Sequence, residues 1–145
     1  MATSSNPVTP SMDPRQLREF LTKSYLMDIA TITPEGYPHV TPVWFDYDGK
    51  IFLVSTERER KKSRNIIRHP KVGFSIAQPD LPYAAVVGYG DVTIVDDPSS
   101  ELLIRLARKY LPLAKADKYA EELKGDGGTR IILKIKPRWM LSWTG

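Results

Sequence analysis

The amino-acid sequence predicts a small, mainly β barrel of six or seven antiparallel strands with a few peripheral helices. Three observations lead there. From Tyr25 onward, short apolar and β-branched runs recur between turn residues, which is strand spacing. Tight turns join neighbouring runs, at Pro34-Glu35-Gly36 and at Asp46 to Gly49, so the pairing is antiparallel. With about six or seven such strands, closing the sheet on itself removes edges that would otherwise stay exposed.

The elements follow in order. Residues 1–12, MATSSNPVTPSM, are rich in Ser, Thr and Pro and read as a flexible arm; they lack the apolar core of a secretory signal. Residues 13–145 read as one domain. Asp13-Pro14 is an N-cap followed by proline at the first helical position, and Leu17, Phe20 and Leu21 form the apolar stripe of a helix ending near Ser24. Leu26 to Thr33 and Tyr37 to Phe45 are strands of a first hairpin. Ile51 to Val54 closes a second one, giving a three-strand meander. A helix is expected from Glu57 to Arg68, stopped before Pro70. Val72 to Ala77 and Tyr83 to Val95 are strands, with Gly88 and Gly90 marking a bulge or bend. Asp97-Pro98 opens a helix carrying Leu102, Leu103, Leu106 and Ala107. A further helical piece spans Lys115 to Leu123 and ends at Gly125 to Gly128. Arg130 to Ile135 and Arg138 to Trp143 are the last strands.

The bulk numbers narrow the function. The chain of 145 residues has no cysteine, which excludes disulfides, thiolate metal sites and cysteine nucleophiles. An intracellular, cytoplasmic location is the expectation. No apolar run approaches the ~18 residues of a membrane helix. Between Arg58 and Lys71 lie seven basic residues and one acid, a local +6 in a chain of net +4, so the remainder carries −2. One concentrated patch suits a small anionic ligand. Nucleic acid is disfavoured because no aromatic residues interleave with the bases.

The densest chemistry lies in Ser55 to Asn65. Thr56 with Glu59 reads as a capping box, placing a helix N-terminus directly after a buried strand. Such a terminus offers free N–H groups to an anion. Arg58 and Lys62, four apart, share a helical face with Asn65 nearby, while Ile66 and Ile67 anchor the helix. The alternative is a solvated basic face. In His39 to Phe45, Pro42 marks an edge strand or bulge. Thr41 and Val43 offer backbone N–H groups to a planar heterocycle, and Trp44 offers a flat wall; taken alone, the segment reads first as a core strand with a structural tryptophan. Trp139 and Trp143 face one side of a strand and either cover a ring system or close the barrel end. His39 and His69 have no metal-ligand spacing. With so few proton-transfer groups, an enzyme built on this chain depends on a cofactor.

Together, Ala30-Thr31-Ile32, the run Gly36-Tyr37-Pro38-His39-Val40-Thr41-Pro42-Val43-Trp44-Phe45, Val54-Ser55-Thr56, Lys62-Ser63-Arg64-Asn65 and His69-Pro70-Lys71-Val72 resemble the pyridoxamine 5′-phosphate oxidase-like FMN-binding split-barrel superfamily. The likeness is to its flavin/deazaflavin oxidoreductase branch and covers Leu17 to Trp143. It implies a six-stranded split barrel and a homodimer with cofactor sites at the interface. It implies FMN or coenzyme F420 as cofactor and hydride transfer between that cofactor and a small conjugated substrate. A carrier that binds a flavin or deazaflavin without turnover is the alternative. The resemblance assigns the phosphate to Ser55, Thr56, Arg60, Lys61, Lys62 and Asn65, the ring to Thr41, Pro42, Val43 and Trp44, and a cross-subunit contact to Trp143. Arg64, Arg68 and Arg130 are further cations that would favour the longer acidic tail of F420. The C-terminal run Lys136-Pro137-Arg138-Trp139 lacks the histidine of true pyridoxamine phosphate oxidases, so vitamin B6 oxidation is not expected.

Overall fold

A computed structural model describes residues 11–123 and 129–144. The expected arm up to residue 10 and the helix stop at Gly125 to Gly128 lie outside the described residues. The chain folds in the order α1 (Pro14–Leu21), β1 (Met27–Ile32), β2 (Pro38–Val43), β3 (Asp46–Tyr47), β4 (Phe52–Glu57), α2 (Lys61–Arg68), β5 (Lys71–Ala77), β6 (Ala84–Asp96), α3 (Glu101–Tyr110), α4 (Leu113–Leu123) and β7 (Arg130–Thr144). All seven strands join one antiparallel sheet in the order β2-β1-β5-β6-β7-β4-β3.

The sheet curls around one apolar core. Met27 and Ile29 from one margin and Phe45, Phe52 and Val54 from the other are fully buried in the same cluster as Val86, Leu133 and Ile135. This order corrects the expected meander. The β1–β2 and β3–β4 hairpins both form, but at opposite edges of the sheet, and β4 pairs with β7 instead of β2. The two residues between them, Trp44 and Phe45, therefore cross the split.

Local chemistry explains most helix ends. Asp13 accepts from Gln16 N at 2.8 Å and the Gln16 side chain accepts from Asp13 N at 2.9 Å, a complete capping box. The Asp97 carboxylate accepts from Glu101 N and Leu102 N at the start of α3. The expected box at Thr56 does not form. Thr56 and Glu57 stay in β4, paired with Ile131 and Arg130, and the helix begins only at Lys61 with no side-chain cap. Long-range pairing has overridden the local signal. Arg58 accordingly sits before the helix, in an ion pair with Asp96, and shares no helical face with Lys62. Ile66 is fully buried, whereas Ile67 is 52% exposed, so the anchoring expected of both falls mainly to Ile66.

Helix α3 bridges the split. Lys109 Nζ donates to Phe45 O at 2.7 Å and Leu21 O at 3.3 Å. Tyr110 Oη donates to Tyr25 O at 2.8 Å and accepts from Phe45 N at 3.2 Å. Burial lowers the Lys109 pKa and pushes the Tyr110 phenol up to about 12. The Tyr110 phenol thus keeps its proton near neutrality, and the two side chains tie α3 to Phe45 on one side and to Leu21 and Tyr25 on the other.

The two expected C-terminal strands are one. Tyr89 pairs with Trp139 and Gly90 with Pro137, so Arg138 is an extra residue and β7 bulges there. Before the bulge Ile131, Leu133 and Ile135 face the core; after it Met140 does, and Trp139, Leu141 and Trp143 turn to the outer face. Both glycines opposite have a reason. A Cβ on Gly90 would collide with Lys136 O, and one on Gly88 with Trp139 O.

Candidate functional site

The split between β2 and β4 opens into a cleft of about 400 Å³, a common size for a small-molecule site. Its sheet wall is Pro42, Val43 and Trp44; its helix wall is Leu103, Leu106 and Tyr119; Ser55 and Arg130 form a polar end. Strand alternation places Ser55 here. Phe52, Val54 and Thr56 face the core, so Leu53, Ser55 and Glu57 face away from it. Glu57 pairs with Arg130 across the β4–β7 ladder, which brings that arginine beside the serine's strand.

The polar end is short of partners. Ser55 Oγ and Arg130 Nε are buried and make no hydrogen bond to any described residue, a state that costs about 1–3 kcal/mol for each such group. Glu57 is shared by Arg60 at 3.3 Å and Arg130 at 3.6 Å. Lys62 has no ion pair with any described residue. Its pKa is lowered, first by burial and then by the charges of Arg60 and Arg130. Two arginines therefore share one carboxylate, Lys62 lies near enough to feel both of them, and an anion bound there would relieve both the repulsion and the missing hydrogen bonds.

Four of the sequence-predicted residues, Pro42, Val43, Trp44 and Ser55, line this single cleft, and Lys62 and Arg60 adjoin it through Arg130. Thr41 lies next to Pro42 with Oγ1 buried and unpartnered. Lys61 is exposed in the first turn of α2. Thr56 belongs to the core-facing set of β4. Asn65 is committed elsewhere: its amide donates to Thr31 Oγ1 at 3.0 Å and accepts from Arg68 at 3.1 Å, pinning α2 to β1. Arg68 also donates to Ile32 O, so it is not a free cation. Trp143 lies opposite Ala85, at the far end of β7 from Arg130.

The backbone role expected of Thr41 and Val43 needs correcting. Thr33 N donates to Tyr37 O at 2.9 Å, which sets the alternation of the β1–β2 ladder. Ile29–Thr41 and Met27–Val43 then fall at hydrogen-bonded positions. Their N–H groups face β1 and not the cleft. Trp44 lines the cleft with one of its faces stacked on Tyr110, with centroids 5.2 Å apart and planes 7° apart.

Sequence reasoning missed the helix wall. Leu103 and Leu106 read as an ordinary apolar stripe, and Tyr119 stood among charged residues with nothing to mark it. Arg130 was visible as a cation, but only the β4–β7 pairing places it beside Ser55.

A family model described as pyridoxamine 5′-phosphate oxidase matches residues 14–144. Among solved structures, one described as an F420 reductase is 30% identical, with a TM-score of 0.70, over 85% of this chain and 94% of that one. A conserved hypothetical protein from Mycobacterium tuberculosis is 24% identical, with a TM-score of 0.78, over 97% and 90% of the two chains. A heme storage protein from Vibrio cholerae has the same fold at 16% identity and a TM-score of 0.66, over 94% and 96%. No curated protein matches the chain significantly.

Proposed function

Because the chain belongs to the pyridoxamine 5′-phosphate oxidase family, we propose that it binds a flavin-type cofactor, FMN or coenzyme F420, in this cleft and reduces a small conjugated substrate with it. The observation that supports this most is the polar end: Ser55 Oγ and Arg130 Nε, without partners among the described residues, beside a Lys62 that has no ion pair there. Those donors suit the phosphate of either cofactor. The F420 reductase likeness favours the deazaflavin.

In this reading Lys62, Arg130 and Ser55 hold the phosphate. Arg60 adds charge while tied to Glu57, and Lys61 adds a smaller, solvent-screened contribution. Pro42, Val43 and Trp44 border the ring, and the apolar helix wall opposite excludes water. When bound, the cofactor supplies the hydride chemistry. The spectrum of the purified protein and titration with each cofactor test the proposal. Expected is saturable binding of at least one of them, and faster oxidation of the reduced form by a cyclic enone than in free solution. Binding of neither would end the reading, and binding without acceleration would make the chain a carrier.

A second copy completes this reading. On the outer face, Val40, Ala30, Gly73, Tyr89 and Trp139 follow one another across five strands. Tyr89 stacks on Trp139 at 5.5 Å yet stays 54% exposed, and Val40 is 58% exposed. Such a contiguous apolar row marks an association surface. Sedimentation should give twice the 16.4 kDa chain mass, and Trp139→Glu should shift it to the monomer; a monomeric parent protein would refute the dimer.

A further inference from the structure

We infer that the helix wall of the cleft is a separate binding surface for the flat, conjugated carbonyl substrate, and that the Tyr119 hydroxyl is the group that grips its oxygen. The inference rests on the cleft being the cofactor site, since it assigns the wall facing the sheet to the second reactant.

The two aromatic residues of the cleft differ in freedom. Trp44 is fixed. One face lies on Tyr110, whose hydroxyl is held by the backbone of Tyr25 and Phe45. Tyr119 packs edge-on against the same indole, with centroids 6.2 Å apart and planes at 62°. Its hydroxyl makes no hydrogen bond to any described residue. Tyr119 is half-buried, and its hydroxyl oxygen stays accessible to solvent and so to a ligand. Trp44 and Tyr119, with Leu103 and Leu106, thus form an apolar slot with one accessible donor on its wall.

The chemistry of the lining narrows the choice further. Among the described residues, and besides Ser55 and Arg130 at the polar end, Tyr119 is the one residue lining the cleft with a polar side chain other than the Trp44 indole. None of the described lining residues is a carboxylate, histidine or lysine. A substrate oxygen that gains negative charge on reduction therefore meets a phenol here. The arginine lies at the phosphate end. A flat substrate with a carbonyl at its edge satisfies both parts of this wall: the ring fills the slot and the oxygen takes the hydrogen bond.

Binding of 1,4-naphthoquinone and of naphthalene to the full chain as purified, followed by saturation-transfer NMR, separates the two parts. Tyr119→Phe keeps the ring and removes the donor. It should weaken naphthoquinone about three- to tenfold, as expected for one neutral hydrogen bond, and leave naphthalene unchanged. Tyr119→Ala should weaken both probes. Naphthoquinone binding unaffected by Tyr119→Phe would overturn the hydroxyl's role, and naphthalene binding unaffected by Tyr119→Ala would overturn the wall. Unchanged circular dichroism of each variant assigns the losses to the site. Neither probe carries a phosphate, so failure here is distinct from failure of cofactor titration.

Discussion

Lys62→Ala should lower cofactor affinity roughly 10- to 150-fold, the loss expected when one charged hydrogen bond of about 1.5–3 kcal/mol disappears. Lys61→Ala, at an exposed position of the same helix, should cost much less, as exposed ion pairs generally do. Lys62 also predicts a change of opposite sign in the empty protein. Burial beside Arg60 and Arg130 lowers its pKa below the ordinary 10.5. The unfolded chain then binds the proton more tightly, so the lysine destabilises the folded state at neutral pH, and the penalty fades as pH rises toward 10.5. Lys62→Met, which keeps the aliphatic stem, should raise the melting temperature of the cofactor-free protein at pH 7 while weakening binding. The two melting curves should converge at alkaline pH. Unchanged affinity on titration would remove Lys62 from the site.

Phe52→Ala should cost about 3–5 kcal/mol, the usual range for a fully buried phenylalanine. That is a large share of the ~5–15 kcal/mol available to a typical domain. Position explains the size. The Phe52 ring meets Tyr47 at 4.5 Å, Phe74 at 4.9 Å and Phe45 at 5.8 Å, so it joins the β3–β4 margin to β5 in the middle of the sheet. Thermal unfolding should show a drop on the order of 6–20 °C. A loss below about 1 kcal/mol would mean that the curl does not depend on this ring. Because the cleft is the gap between the margins, the same variant should bind cofactor less tightly even where it is still folded.

What the sequence disclosed was mostly short-range. Asp13-Pro14 and Asp97 announced their helices because the capping atoms lie within five residues of one another. Pro42 announced an edge strand because proline lacks the donor that a central strand requires. The misreadings were contests between near and far. Thr56 carried a capping signal but was already engaged by Ile131, more than seventy residues away. The meander failed because adjacency in sequence gives no warning that two hairpins will sit at opposite margins. The cleft shows the same division. Ser55 and Lys62 were legible as a local cluster, whereas the contributions of Arg130 and Tyr119 exist only once β7 lies against β4 and α4 closes over Trp44.

The hydrogen-bond alternation of β2 has one more consequence. If Thr41 and Val43 point their N–H groups inward to β1, the outward positions of this margin are Pro38, Val40 and Pro42. Two of those three have no N–H to give. An intruding strand from another molecule would find a single donor there, too few for a ladder to propagate. The prolines thus let the protein keep an open margin beside its cleft without that margin becoming a seed for fibrillar aggregation.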